Sequence, residues 1–363
     1  MYGGRTYLKG RKTMAGKYVA YAGTYTIGSS VGIHLYDVDI NEGTLTERKV
    51  FPVNNSSHIC LSKNGKYLYS IADEGVAVFA IQPDGDLEKI NQIELTGMRG
   101  CHLSVDKTGK YLFVAGYHDG KVTLIHTHHD GRLGSEIDGV FHRGLGTVTE
   151  RNFRPHVSCV MPTRDGKYVC AVDNGIDQVK IYRISESGKL ELADILRCQL
   201  GSAPRILRFS PDGRFAYLIC ELQNVVQVLA YHPERKDDIF EEIQTISTVR
   251  KNSDREHDAT SALCFAKDGR YLFVSVAGDN AATMFKVDPE TGLLTREFTL
   301  PISGNYPKDI RPFPGGEFLA SVNHESGTIT TFRIDYEKKL IVMKGKPVRL
   351  DTPNCIVFTE VEG

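Results

Sequence analysis

Apolar and polar residues alternate along the chain in short runs that recur. Six segments have the same shape: residues 66–72 after Asn64-Gly65, 110–116 after Thr108-Gly109, and 167–172 after Asp165-Gly166. The others are 214–219 after Asp212-Gly213, 270–275 after Asp268-Gly269 and 317–322 after Gly315-Gly316. Each is rich in aromatic and β-branched residues, which suit a pleated surface. Asp-Gly and Asn-Gly accept the positive φ of a tight turn. Runs with period-two alternation follow, as in Val76-Ala77-Val78-Phe79 and Val179-Lys180-Ile181-Tyr182. Further strands begin after Gly188 and Gly292. The turn positions 64, 108, 165, 212, 268 and 315 are 44 to 57 residues apart. Four antiparallel strands at that spacing predict the blades of a β-propeller.

The two ends complement each other. Residues 17–23 have the pattern of a blade's second strand, 31–36 and 44–46 of its third and fourth, and 354–359 of a first strand with nothing after it. Joined, they make one more blade. The expected fold is therefore all-β: a seven-bladed β-propeller closed by pairing of N- and C-terminal strands in one blade. Closure also hides sheet edges. Residues 14–363 are expected to be one propeller domain. Residues 1–13, with Arg5, Lys9, Arg11 and Lys12 but no apolar segment, are expected to be a disordered basic tail, and Met14 the natural start.

Composition narrows the class. Of 363 residues, 41% are hydrophobic and 25% charged, which excludes a disordered chain. No run of 18 apolar residues is present. A net charge of −1 argues against a nucleic-acid or anionic-membrane surface. No two of the eight cysteines are spaced as CxxC, so buried reduced thiols in a cytoplasmic protein are expected. Gly-rich phosphate loops and HExxH are absent. His126-Thr127-His128-His129 sits at a strand end with no cysteine nearby, and neither a metal nor another cofactor is expected.

In a propeller, loops leading into first strands share a face with loops joining second and third strands. That mouth is the default binding surface. The first set places there Ser57-His58, Cys101-His102, Pro155-His156, Pro204-Arg205, Thr260-Ser261, Pro307-Lys308 and Pro353-Asn354. The second adds Asp73-Glu74, Tyr117-His118-Asp119, Asp173-Asn174, Glu221, Gly278-Asp279 and Asn323-His324-Glu325. Two longer segments, 141–155 with Arg143, Arg151 and Arg154, and 245–260 with Arg250, Lys251, Arg255 and His257, read as basic flaps over the same mouth.

From about residue 17 onward the chain resembles the seven-bladed lactonase family, which includes propeller-type 6-phosphogluconolactonase and a fungal carboxymuconate-cyclizing enzyme. The resemblance rests on Tyr21-Ala22-Gly23-Thr24-Tyr25-Thr26, Cys101-His102-Leu103-Ser104-Val105-Asp106, Arg154-Pro155-His156 and Asp173 with Gly175 and Asp177. Ala203-Pro204-Arg205 and Glu221-Leu222 complete it. It implies a catalytic set of His156 as general base, Arg205 for the oxyanion or an anionic substrate group, and Glu221 to orient His156 or hold Arg205. His102, Lys308 and His324 are expected substrate contacts. Where the family has a second arginine this chain has Ala277, and where a second histidine often follows the first it has Ser158. The implied activity is hydrolysis of a sugar-acid lactone, with 6-phosphogluconolactone of the pentose-phosphate route the expected substrate. The alternatives are a lactonase or cyclase acting on a different carboxylated lactone, and a non-catalytic binding propeller. A small-molecule lactone is the only partner expected; nucleic acid and membrane are not, and the chain is expected to be a monomer or weak homodimer.

Overall fold

The structure, a computed structural model, describes residues 16–147, 152–250, 253 and 257–362. The tail 1–13, Met14, Arg151, Lys251 and Arg255 lie outside the described residues. The described strands form seven antiparallel sheets of four strands, the blades of a propeller. The first blade is of mixed origin. Its inner strand, Pro353–Val361, pairs with Lys17–Thr24, which is followed outward by Gly32–Asp39 and Thr44–Pro52. The inner strands touch in cyclic order, and the last contact, between Pro353–Val361 and Ile59–Leu61, closes the ring.

Seven apolar clusters lie one between each pair of neighbouring blades. Val19, Tyr21 and Leu35 of the first blade, for example, meet Leu68, Phe79 and Leu87 of the second. Both faces of every blade are covered, so second strands read as continuous apolar runs such as Tyr67–Ala72. Tyrosines cross these seams: Tyr21, Tyr69 and Tyr217 donate their hydroxyls to the carbonyls of Gly85, Gly131 and Gly292, each in a turn of the next blade. The hydrophobic core is thus a ring of wedges, and the axis is left for polar side chains.

The repeated turns join first to second strands. Gly65, Gly109, Gly166, Gly213, Gly269 and Gly316 all have φ between 70° and 78°, which only glycine adopts at no steric cost. The Asp or Asn before them keeps ordinary φ. It acts through its side chain, accepting the backbone N–H two residues on, as Asp165 does from Lys167 and Asp212 from Arg214.

At the other end of the inner strands a bulge recurs. Register shifts fall between Pro204 and Ile206, Pro307 and Asp309, Val157 and Cys159, and Thr260 and Ala262. In the first blade the partners jump from Pro353 to Cys355. The extra residues are Arg205, Lys308, Ser158, Ser261 and Asn354. A bulge re-aims the side chain it carries, and all five face one cavity.

Candidate active site

The cavity opens on the propeller axis at the bulged end and has a volume of about 330 Å³. Besides the bulge residues, its wall includes Tyr25, Tyr117, His118 and Tyr306 near the mouth, and His58, His102, Arg208, Asp309 and Arg311 further down. Four cations and two carboxylates line it, so the cavity is cationic although the chain is nearly neutral.

Arg205 is the best-fixed of these groups. The loop ahead of it is pinned by Asp177, whose carboxylate accepts the N–H of Ala203 at 2.8 Å and of Gly201 at 2.8 Å. That holds Ala203 at φ 53° before Pro204, a conformation unfavourable for a residue with a Cβ. Tyr306 and Thr352, ahead of Pro307 and Pro353, have the same sign of φ. The Arg205 guanidinium donates Nη1–H to Glu221 Oε2 at 2.7 Å and Nε–H to the carbonyl of Ser261 at 3.1 Å. Its Nη2 takes no protein acceptor among the described residues. Burial disfavours the Arg205 charge, but the Glu221 carboxylate outweighs burial and holds the proton more firmly than usual. Glu221 is itself 3% exposed. Of the two roles expected of Glu221, the structure shows the second: it grips Arg205.

His156 is placed differently. The sequence sets Pro155-His156 beside Pro204-Arg205, but the bulge shows that Ser158 is the counterpart of Arg205. His156 lies two residues upstream and does not line the cavity. Its ring stacks on Tyr117 at 4.5 Å, and Tyr117 forms the wall. His156 Nδ1–H donates to the Tyr117 carbonyl at 2.6 Å, which leaves Nε2 as the unprotonated nitrogen of the neutral ring. Asp173, expected as a mouth carboxylate, is buried and occupied: it accepts the His156 backbone N–H at 2.8 Å and faces His142 Nδ1 at 2.7 Å. Gly175 follows because a Cβ there would run into the Arg154 carbonyl.

His324 repeats the arrangement. It packs edge-on against Tyr25 at 5.7 Å, its Nδ1 is 3.1 Å from the Pro353 carbonyl, and the cavity wall is Tyr25. The expected contacts His102 and Lys308 do line the cavity, with Lys308 Nζ 5.3 Å from the Tyr306 ring centroid. Ser158 Oγ donates to the Arg205 carbonyl at 2.8 Å and so ties the fourth blade to the fifth. Ala277 ends a second strand, is fully buried and is not in the cavity wall. Among the described flap residues, Arg250 pairs with Asp279, and Arg154 donates to the His118 carbonyl at 3.0 Å.

Some cavity residues have no role that the sequence pattern assigns. His58 and His118 belong to the mouth positions noted there. Arg208 and Arg311 were visible only as a repeated pattern, Pro-cation-x-aliphatic-Arg, in Pro204–Arg208 and Pro307–Arg311. His118 is surface-exposed; partial desolvation, with Arg99, His156 and Arg154 nearby, lowers its pKa below the ordinary imidazole value, against an opposing Asp119. The eight cysteines are all free thiols. Cys101 and Cys355 lie in the cavity wall, and burial pushes each up to about 12, so they are protonated and unreactive at neutral pH.

A closed ring of seven blades with a bulge-built cationic mouth defines a propeller of the lactonase type. Residues 19–358 match the family described as lactonase, 7-bladed beta-propeller, and the chain belongs to it. It is 32% identical over 353 residues to the 6-phosphogluconolactonase of Bacillus subtilis, covering 94% of this chain and 98% of that one. A 6-phosphogluconolactonase of Formosa agariphila is 28% identical over 324 residues, covering 84% and 89%. Among solved structures, the periplasmic gluconolactonase of Pseudomonas aeruginosa superposes with a TM-score of 0.89 at 29% identity, covering 95% of this chain and 99% of that one. No helix among the described residues is long and apolar enough to cross a membrane.

Proposed function

We propose that the protein hydrolyses the lactone of a sugar acid, with 6-phosphogluconolactone as substrate and 6-phosphogluconate as product. The observation that carries this reading is Arg205, a half-buried guanidinium held by Glu221 and Ser261 with one amine that meets no acceptor among the described residues, in the mouth of a lactonase-family propeller. The relatives named for the phosphorylated lactone support the choice of substrate.

The chemistry asks little of the protein, because a six-membered lactone is an activated ester. Water attacks the carbonyl carbon and gives up a proton to an imidazole. The oxygen that gains charge is met by the Arg205 guanidinium, fixed in advance by Glu221. Collapse breaks the bond to the ring oxygen, which takes the proton back and leaves as a hydroxyl. Of the three imidazoles in the cavity wall, His118 is the one near the mouth, and we assign it the base role expected of His156. His156 then supports the wall, bracing Tyr117 through its stacked ring and the hydrogen bond to the Tyr117 carbonyl. Ser158 has no base at hand, since its hydroxyl is given to the Arg205 carbonyl.

A second substrate reading, the unphosphorylated gluconolactone or another carboxylated lactone, is favoured by Ala277 in place of an arginine and by the similarity to a gluconolactonase. A pH-stat assay on phosphorylated and unphosphorylated lactones separates the two. Acid release well above the spontaneous rate on 6-phosphogluconolactone, lost in Arg205→Ala, supports the first. Turnover of the unphosphorylated lactone alone supports the second, and turnover of neither removes both. The cytoplasm is the compartment that fits the phosphorylated substrate; fractionation of the native cells tests it.

A further inference from the structure

Below the Arg205–Glu221 pair the channel wall carries a second set of polar groups that hydrolysis leaves unused: His58, His102, Arg208, Asp309 and Arg311. The two arginines hold the same place in two blades, three residues after the bulged cation. Strand alternation then puts Ile206 and Arg208, and likewise Asp309 and Arg311, toward the axis, with Leu207 and Ile310 buried in the wedges between blades.

Their donors are poorly matched within the protein. Arg208 makes no ion pair among the described residues. Its Nη1 reaches only the Leu207 carbonyl at 3.0 Å and the Cys159 sulfur at 3.9 Å. Arg311 is paired with Asp309 at 3.2 Å, but its Nη1 meets the Cys264 sulfur at 3.6 Å and its buried Nε has no partner. A thiol sulfur is a weak acceptor. Asp309 is further occupied by the N–H groups of Ile310 and Ile356. The histidines are also turned to donate. His58 Nδ1 accepts the Leu103 N–H at 3.1 Å and His102 Nδ1 the Val160 N–H at 3.4 Å, so each neutral ring keeps its proton on Nε2, where that of His102 faces the weak acceptor Cys159 Sγ at 3.7 Å. Burial, joined by the charges of Arg208 and Arg311, keeps them neutral, with His58 down to about 3. Two guanidiniums and two N–H donors around a narrow channel, with one carboxylate among them, leave a surplus of positive charge and of donors.

We infer that Arg208 and Arg311, with His58 and His102, form a phosphate-binding site on the channel side of Arg205. It takes a tetrahedral oxyanion, either the phosphoryl group of a phosphorylated lactone or free inorganic phosphate. The first source rests on the function proposed above; the binding itself does not.

Isothermal titration of the full chain with inorganic phosphate tests the site without any turnover. One phosphate per chain is expected, with affinity falling about tenfold or more in Arg208→Gln, as loss of a charge-assisted hydrogen bond implies. Arg208 has no carboxylate partner among the described residues to strand, so this variant should fold, and circular dichroism checks it. The paired change Arg311→Gln with Asp309→Asn should also weaken binding without leaving a buried charge alone. No phosphate binding by the wild type, or equal binding by Arg208→Gln, overturns the site. Competition assigns the source. Phosphate that competes with the phosphorylated lactone, together with an Arg208→Gln loss in kcat/KM at least about tenfold greater for that lactone than for the unphosphorylated one, marks the substrate's own phosphoryl group. Phosphate that binds but competes with neither marks the free ion. A protein without lactonase activity that still binds phosphate through Arg208 keeps the site and loses only the function proposed above.

Discussion

The mouths of the fourth and fifth blades look alike in sequence and differ in structure. Arg154-Pro155-His156 and Ala203-Pro204-Arg205 each set a proline before a functional side chain. In the fifth blade the proline opens the inner strand and the next residue is the bulge, so Arg205 is driven into the cavity. In the fourth, the strand opens at Val157 and the bulge falls on Ser158. His156 is left two residues early, 5% exposed behind Tyr117. The difference teaches that the position of the bulge decides which side chain enters the cavity, not the proline motif. A small hydroxyl at Ser158 and a guanidinium at Arg205 are the true counterparts, and the Ser158 hydroxyl donates to the Arg205 backbone carbonyl.

The sharpest break of this contrast is at Arg205. Arg205→Ala is expected to cut kcat/KM by about 10²–10³-fold, the loss typical of an oxyanion donor; a steady-state assay showing a loss of under about threefold would dethrone the fifth blade. Glu221→Gln should weaken catalysis by less, because the amide still accepts a hydrogen bond from Arg205.

The histidines come next. His118→Ala should lower kcat by about 10²-fold or more, in the range of general-base catalysis, and His156→Ala by under about tenfold with a fall in stability of ~1–3 kcal/mol from the lost buried hydrogen bond. Parallel kinetics and urea unfolding decide, and the reverse ranking would restore His156 as the base. The pH profile sharpens this further. A base works when unprotonated, so kcat/KM falls as pH drops through its pKa. Partial burial and the neighbours Arg99, His156 and Arg154 lower the His118 pKa, with Asp119 opposing, so the acid limb should lie below the ordinary imidazole value of about 6.5. It should vanish in His118→Ala.

Smaller effects test the supports of the fifth blade. Asp177→Ala frees the loop that holds Ala203 and should cost about 1.5–3 kcal/mol, the range for hydrogen bonds to a charged group, with reduced kcat at little change in KM. Ser158→Ala removes only the tie between the blades and should cost about 1 kcal/mol, read as a lower urea midpoint at unchanged slope.

Much of this was legible in the chain. The Asn64-Gly65 type of turn repeated six times fixes one glycine at positive φ in each of six blades, and the apolar runs beside it demand burial on both faces. Together they imply a ring of blades, and the unpaired pattern at residues 354–359 matches the strand missing from the first blade. Arg205, Glu221, His102 and Lys308, read from the sequence as mouth residues, all line the cavity, His102 further down the channel. The placement of His156 was not, because a bulge is a shift of register between two strands and leaves no mark in the sequence of one. Nor was the lower ring of Arg208 and Arg311, which are adjacent only because strands more than a hundred residues apart both face the axis. Local turn chemistry and hydrophobic period thus determined the architecture by sequence alone. Which polar groups converge was decided by tertiary structure, since facing the same channel depends on strand register and on closure of the ring.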